Sequence, residues 1–345
     1  MSVATQYYVI TLLVLFGVNV VAAWSLNLQH GVAGVWNFGF VVFQAIGAYV
    51  TAALTLGPPE RLGGFQEYVL AADLPWPLPL LGAALAGGVL ALLIGLFALK
   101  PKGRDYQALV LLVVSAASLV FVVSQKELFN GSAGLAGVPK PYADELALDV
   151  TEYGWFYVLL TASVVALSYL VIRRLTSSPW ARRLKAQRDN PDGAAAIGID
   201  VGRERLIVFV VGGALAAVSG GVLVQFIGAY SPEGWEYSMT FLYFTAIIVG
   251  GLANNAGVVV GVLLVWTVLQ ESVRYLPEVA PPTITANLQG IAIGLIILGF
   301  LWWRPQGLLP ERRVRLGEDG ARRKVADGGR QGQGVAHEGA GVNAR

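Results

Sequence analysis

The sequence predicts an all-α, polytopic membrane protein with about nine transmembrane helices (eight to ten), and three observations predict it. Of 345 residues, 55% are hydrophobic and only 13% charged, about half the roughly 25% charged residues of an ordinary soluble domain; the mean hydropathy is +0.62. The charges are also bunched. Met1 to Pro59 contains none, and Leu80 to Leu99, Gln107 to Gln125, Trp155 to Ile172, Ser238 to Gln270 and Val279 to Trp303 are likewise charge-free. A span needs roughly 20 apolar residues and a buried soluble helix rarely exceeds about 14, so a soluble globular enzyme is excluded. Finally, the chain has no cysteine and only two histidines, His30 and His337, far apart. Disulfides, iron–sulfur clusters and thiolate catalysis are excluded, and no dedicated metal site is expected.

Hydropathy and helix breakers place the spans near 5–26, 37–56, 80–99, 107–125, 155–173, 206–228, 238–253, 257–275 and 285–303. The opening Met1-Ser-Val-Ala-Thr-Gln lacks a basic n-region, so Tyr7 to Leu26 reads as a retained first span. Asn254-Asn255-Ala256-Gly257 divides one long apolar stretch, and Gln29-His30-Gly31 with Gly34 divides another. The second divider makes a glycine-broken segment near 27–39, compatible with a broken or re-entrant helix, which bilayers permit only where protein or a cavity covers the backbone. In the span at 206–228, Gly212, Ala216 and Gly220 lie beside Gly213, Ala217 and Gly221 on two adjacent small faces, as close helix packing requires.

Charge orients the bundle. With nine spans and a cytoplasmic C-terminus, the inner segments 100–105, 173–205 and 304–345 carry 20 of the 24 basic and 10 of the 22 acidic residues. The outer segments 57–77, 126–154, 229–237 and 271–283 carry the other 4 and 12. The positive-inside rule then places the N-terminus outside. Trp76, Trp155 and Trp235 fall at outer ends and Trp24, Trp302 and Trp303 at inner ends, where an aromatic belt would have them. Residues 1–310 form the expected transmembrane domain. The Gly-, Arg- and Asp-rich 311–345 read as a disordered cytoplasmic tail. Asn130-Gly131-Ser132 reads as a tight external turn.

The longest inner loop holds the most information. Ser178-Pro179 is an N-cap followed by proline at the first helical position. From there Trp180, Leu184, Gln187 and Arg188 trace a basic amphipathic helix. Asn190-Pro191 starts a second, alanine-rich helix through Ala194, Ala195, Ala196 and Ile197, which Gly198 ends. Two short helices on one surface make a compact knob for a partner's groove; the plainer reading is a basic loop resting on anionic lipid headgroups.

These residues carry a resemblance. Arg183-Leu184-Lys185-Ala186-Gln187-Arg188-Asp189-Asn190 with Ala194 to Ile199 resembles the cytoplasmic loop of the M-type (LivM-type) permease subunits of branched-chain amino acid ABC transporters. Leu26-Asn27-Leu28 with Gly31 and Gly34, Ala45-Ile46-Gly47-Ala48-Tyr49, Asn130 to Leu135, Ser231-Pro232, Val249 to Leu252 and Arg304-Pro305-Gln306-Gly307-Leu308 follow as further landmarks in order. The chain departs from the family pattern at Pro191, where glutamate is common, and at Phe38, Phe40 and Asn130. The resemblance implies a pore-forming subunit of an importer in the prokaryotic inner membrane. Its loop 174–204 would couple to ATPases through Trp180, Arg183, Leu184, Arg188, Asp189, Asn190, Ala194, Ala195 and Gly198. The implied partners are a second permease subunit, two cytoplasmic ATPase subunits, an external solute-binding protein and membrane lipid, with no nucleic acid. No G-x-x-x-x-G-K-[ST] occurs, so ATP and magnesium would belong to the ATPases, and this chain would bind no cofactor and catalyse no reaction.

A zwitterionic solute needs dipoles in place of water, since even one charge at the bilayer centre costs about 2.5–3.5 kcal/mol on insertion scales. Polar residues in spans are Asn19, Asn27, Gln29, His30, Asn37, Gln44, Gln225, Gln270 and Asn287. Asn27, Gly31, Gly34, Asn37, Gly39 and Gln44 form the candidate translocation lining, against the alternative of interhelical hydrogen bonds worth about 0.6 kcal/mol each. The competing functions are a urea or short-amide importer and an ion-coupled secondary carrier. A proton-coupled carrier would ordinarily place ionisable groups mid-membrane, and no predicted span has one at its centre.

Overall fold

The computed structural model describes residues 3–59, 65–69, 71–100, 103–269, 288, 291, 294–295, 298–299, 302–304 and 306–311. The tail beyond 311 and most of the expected span 285–303, with Gln270 and Asn287, lie outside the described residues.

The described chain is mostly helical. In order it forms α1 (Val3–Asn27), α2 (Phe40–Thr55), α3 (Leu78–Ala98), α4 (Arg104–Ser124), α5 (Lys126–Phe129), α6 (Ala143–Leu146) and α7 (Val150–Thr176). Then come α8 (Pro179–Asp189), α9 (Pro191–Ala196), α10 (Val201–Ile227), α11 (Tyr237–Gly250) and α12 (Asn255–Val262). Five helical stretches are long and apolar enough to cross a membrane: Val3–Val32, Leu78–Ala98, Asp105–Ser124, Val150–Thr176 and Val201–Ile227. Three shorter apolar ones are Phe40–Thr55, Tyr237–Gly250 and Asn255–Thr267. A helix overlaps each of the first eight expected spans, the eighth as far as residue 269, where its described residues end.

Two helices overrun their expected ends because charges at a helix terminus can extend it. At α7, Asp149 and Glu152 form a reciprocal capping box, and Arg173 and Arg174 sit in the last turn against the negative end of the helix dipole. At α10, the Asp200 carboxylate accepts from the Arg203 amide at 3.0 Å, and the helix begins at Val201 rather than 206.

α10 is the hub, packed on α1, α2 and α3. Its two small faces account for the closeness: a Cβ on Gly220 would stand 2.0 Å from the Gln44 carbonyl of α2, and one on Gly47 of α2 would stand 2.1 Å from the Ala217 carbonyl. The expected small-residue packing is therefore the observed one.

At one end of the bundle, three loops are sewn together without helices, and here a small sheet departs from the all-α expectation. Strand β1 (Leu135–Ala136) pairs antiparallel with β2 (Ala229–Tyr230), Leu135 opposite Tyr230. The Gln66 amide completes the edge of β1, donating to the Ala136 carbonyl at 3.2 Å and accepting from the Ala136 amide at 2.9 Å. Asn130 adopts the left-handed conformation (φ 59°), accepts from the Glu67 amide at 3.0 Å and donates to the Gly134 carbonyl at 2.5 Å, which makes the expected turn a tether for the neighbouring loop. The Tyr68 phenol donates to the Gly57 carbonyl at 2.5 Å; burial raises its pKa, so it stays protonated and donating at neutral pH.

Candidate functional site

The loop between α7 and α10 folds into the two expected helices. Pro179 occupies the first turn of α8, but Ser178 does not cap it through its side chain: the hydroxyl donates backwards to the Leu175 carbonyl at 2.7 Å. The second helix is punctuated as expected. The Asn190 side chain accepts from the Gly193 amide at 2.9 Å and Pro191 follows. At the far end Gly198 (φ 88°) donates to the Ala195 carbonyl and Ile199 to that of Ala194, the paired bonds of a Schellman stop.

Burial divides the pair into an anchored face and a bare one. Ala181, Leu184, Gln187 and Ala194 are buried, whereas Ala195, Ala196 and Gly198 are exposed and Ile197 is 75% exposed. The anchor is a residue that sequence reasoning missed, Glu204 in the first turn of α10. Its carboxylate accepts from the Trp180 indole N–H and pairs with Arg183 at 3.4 Å. Nothing local to Glu204 announces this role, because its partners lie 20 residues and more upstream. Arg188 turns inward: its Nη1 donates to the Gly31 carbonyl at 2.5 Å while its Nε donates to the exposed Asp189 at 3.0 Å.

Gly31 belongs to the broken segment. α1 continues into a π-helical turn, Leu28–Val32, and residues 33–39 are non-helical before α2 begins at Phe40. Most of this stretch is buried, as irregular backbone in an apolar setting must be. The break abuts α8 and so lies at the knob end of the bundle. The Asn27 carboxamide oxygen accepts from the Ala253 amide at 2.9 Å. Asn37 donates to the Gln29 side chain at 2.8 Å and accepts from the Gly39 amide at 3.1 Å. Gln44 sits in a buried polar chain, donating to Ser219 at 3.2 Å and Tyr243 at 3.0 Å, with Tyr243 donating to Asn19 at 2.7 Å.

All six candidate lining residues are buried; Asn27 and Gln44 brace elements far apart in the chain, whereas the Asn37 bonds stay within the broken segment. None lines the apolar cavity of about 160 Å³ bounded by Val42, Ile46, Tyr49, Leu90, Ser115 and Leu119, nor the wider cleft of about 640 Å³ between α1, α7 and α12. His30 packs edge-on against Trp36 and Phe244, ring centroids 4.4 and 5.1 Å away, as a core histidine does. Trp24, three residues before the end of α1, is buried and donates its indole N–H to the Asn255 carbonyl at 2.8 Å. Among the described residues, no group of three or more His, Cys, Asp or Glu could hold a metal ion.

Fold and site together define a multi-pass helical membrane protein with a projecting helix pair joined to a broken first span. The chain belongs to the family described as branched-chain amino acid transport system / permease component, whose sequence profile matches residues 8–301. The probable branched-chain amino acid transport permease protein LivM of Methanocaldococcus jannaschii is 27% identical over 335 residues, covering 88% of this chain and 93% of that protein. The high-affinity branched-chain amino acid transport system permease protein LivM of Escherichia coli (strain K12) is 26% identical over 319 residues, covering 87% and 69%. The LivH permease protein of the same system in Salmonella typhimurium is 25% identical over 294 residues, covering 84% and 90%. No solved structure matches.

Proposed function

We propose that this chain is one of two pore-forming permease subunits of an ATP-driven importer for branched-chain amino acids in the prokaryotic inner membrane. It spans the membrane about nine times with its N-terminus outside. An external binding protein delivers the amino acid to the outer loops 126–154 and 229–237, whose carboxylates Glu127, Asp144, Glu145 and Glu233 are exposed. Two cytoplasmic ATPase subunits seat the α8–α9 pair and drive alternating access. The broken first span and the polar residues around it, Asn27, Gly31, Gly34, Asn37, Gly39 and Gln44, open onto the passage as the bundle rearranges. ATP and magnesium sit on the partners, because this chain carries no phosphate-cradling motif.

The observation that carries the reading is the bare face of α9. Ala195 and Ala196 stand in solvent on a helix whose other side is buried at Ala194, and Ile197 just past its end is exposed with them. A small apolar patch rimmed by Asp192 and Asp200 is a surface made for a groove. Affinity purification of the tagged chain from its native membrane in mild detergent, followed by mass spectrometry, tests it. Recovery of a P-loop ATPase and a second hydrophobic subunit is the expected result. A chain that purifies alone and moves solute in liposomes without ATP contradicts it.

A further inference from the structure

The first span does not end as an ordinary α-helix. Its last turn, Leu28–Val32, is π-helical, and beyond it the Gly34 amide folds back onto the His30 carbonyl at 3.0 Å and the Val35 amide onto that of Gln29 at 2.9 Å. A π turn holds a surplus residue in the helix register and is frequently placed at functional sites.

This turn is gripped from two sides. From α8, Arg188 donates Nη1 to the Gly31 carbonyl at 2.5 Å. Gly34 crosses the stem of the same arginine: with φ +72°, a Cβ there would stand 2.9 Å from Arg188 Cγ and 3.3 Å from its Cα. Asp189, 3.0 Å from Nε, holds the guanidinium from the solvent side. One planar fork therefore binds a carboxylate and a carbonyl at once, which a lysine cannot reproduce. From the other side comes the reversal between α11 and α12. The Ala253 amide (φ 57°) donates to Asn27 at 2.9 Å and occupies the space a Cβ on Gly31 would need, 2.7 Å away.

We infer that Arg188 is a positioning residue that locks the α8–α9 pair to the π turn of the first span, so that a displacement of the pair is delivered to α1 and, through Asn27 and Ala253, to the α11–α12 reversal. The inference rests on the importer reading. In that frame the docking surface is the bare face of α9, and the Arg188 guanidinium works inward, on the transporter's own backbone.

The test is the amount of leucine transported per ATP hydrolysed by the complete transporter in proteoliposomes. Arg188→Gln lowers this ratio about tenfold, the scale of one charge-assisted hydrogen bond, and Arg188→Lys recovers part of it. If Arg188 only stabilises the fold, its loss reduces assembled complex and both rates together, leaving the ratio at the wild-type value; that result overturns the inference. Amide hydrogen exchange on the wild-type complex gives a second readout that no folding defect can blur. Trapping with ATP changes protection in 190–198, 28–35 and 250–257 together, whereas a change in 190–198 alone overturns the inference. Wild-type liposomes without ATP-driven uptake refute the importer reading itself; wild-type uptake with an unchanged ratio in Arg188→Gln refutes only the role of Arg188.

Discussion

The two ends of the bundle are held together by different chemistry. At the knob end the contacts are few, directional and charged: Glu204 takes Trp180 and Arg183, and Arg188 takes Gly31. The Arg183–Glu204 and Arg188–Asp189 ion pairs lie there. At the opposite end, loops are tied by backbone and amide hydrogen bonds through β1–β2, Gln66 and Asn130, while Glu127, Asp144, Glu145 and Glu233 stand exposed. One end thus spends its charges on internal joints and leaves an apolar face bare. The other ties its loops together mainly with neutral backbone and amide groups and leaves Glu127, Asp144, Glu145 and Glu233 outward, with Asp149 and Glu152 spent on capping α7. A joint made of single charged contacts can shift as a unit, whereas a network of many neutral backbone bonds resists shear. That is the asymmetry expected if force enters at the knob and a partner is only received at the loops.

The contrast can be broken in graded steps. Both ends depend on the α10 hub, so Gly220→Leu, which drives a side chain into the Gln44 carbonyl, removes more than about 3 kcal/mol and abolishes the folded, detergent-stable protein on size-exclusion chromatography. Ala195→Trp leaves that stability intact but blocks the bare face of α9: leucine uptake falls while ATP hydrolysis by the assembled complex persists, and full uptake in this variant argues against docking there. Glu204→Ala is milder. It removes an acceptor whose side chain is only 10% exposed and costs about 1–2 kcal/mol locally, which hydrogen exchange registers as faster exchange in 179–198 with the β1–β2 loops unchanged. The smallest effect falls at the end opposite the knob. Asp144→Asn with Glu145→Gln leaves thermal stability unchanged and slows capture of the binding protein about threefold at low salt, a difference that fades at high salt because exposed charges act mainly on association rate.

Much of the fold was legible because membranes make helix placement a matter of where charges are absent. The stretches 80–99 and 238–253 coincide with Leu78–Ala98 and Tyr237–Gly250 within a few residues. The helix pair was legible through its punctuation, Pro179, Asn190-Pro191 and Gly198, since each residue acts through local backbone geometry. Charged residues misled at the ends of α7 and α10, where they cap or complete the helix rather than stop it. Ser178 fills the N-cap position but spends its hydroxyl on the preceding helix. What could not be read were contacts between residues far apart in sequence. Glu204 beneath Trp180, Trp24 on Asn255 and Arg188 on Gly31 depend on how helices pack, and a sequence alone does not say which faces meet. The polar residues of the spans were visible as unusual, while their use as braces between helices, as in the Gln44–Tyr243–Asn19 chain, needed the packing itself.

The central claim is that this bundle moves a branched-chain amino acid only when ATPases act on its knob end. Uptake of radiolabelled leucine into proteoliposomes holding the complete assembly, with binding protein outside and ATP or no nucleotide inside, tests that most directly. The account predicts accumulation that requires both ATP and the binding protein and that Ala195→Trp lowers. Equal uptake without ATP, driven by an ion gradient alone, would contradict it.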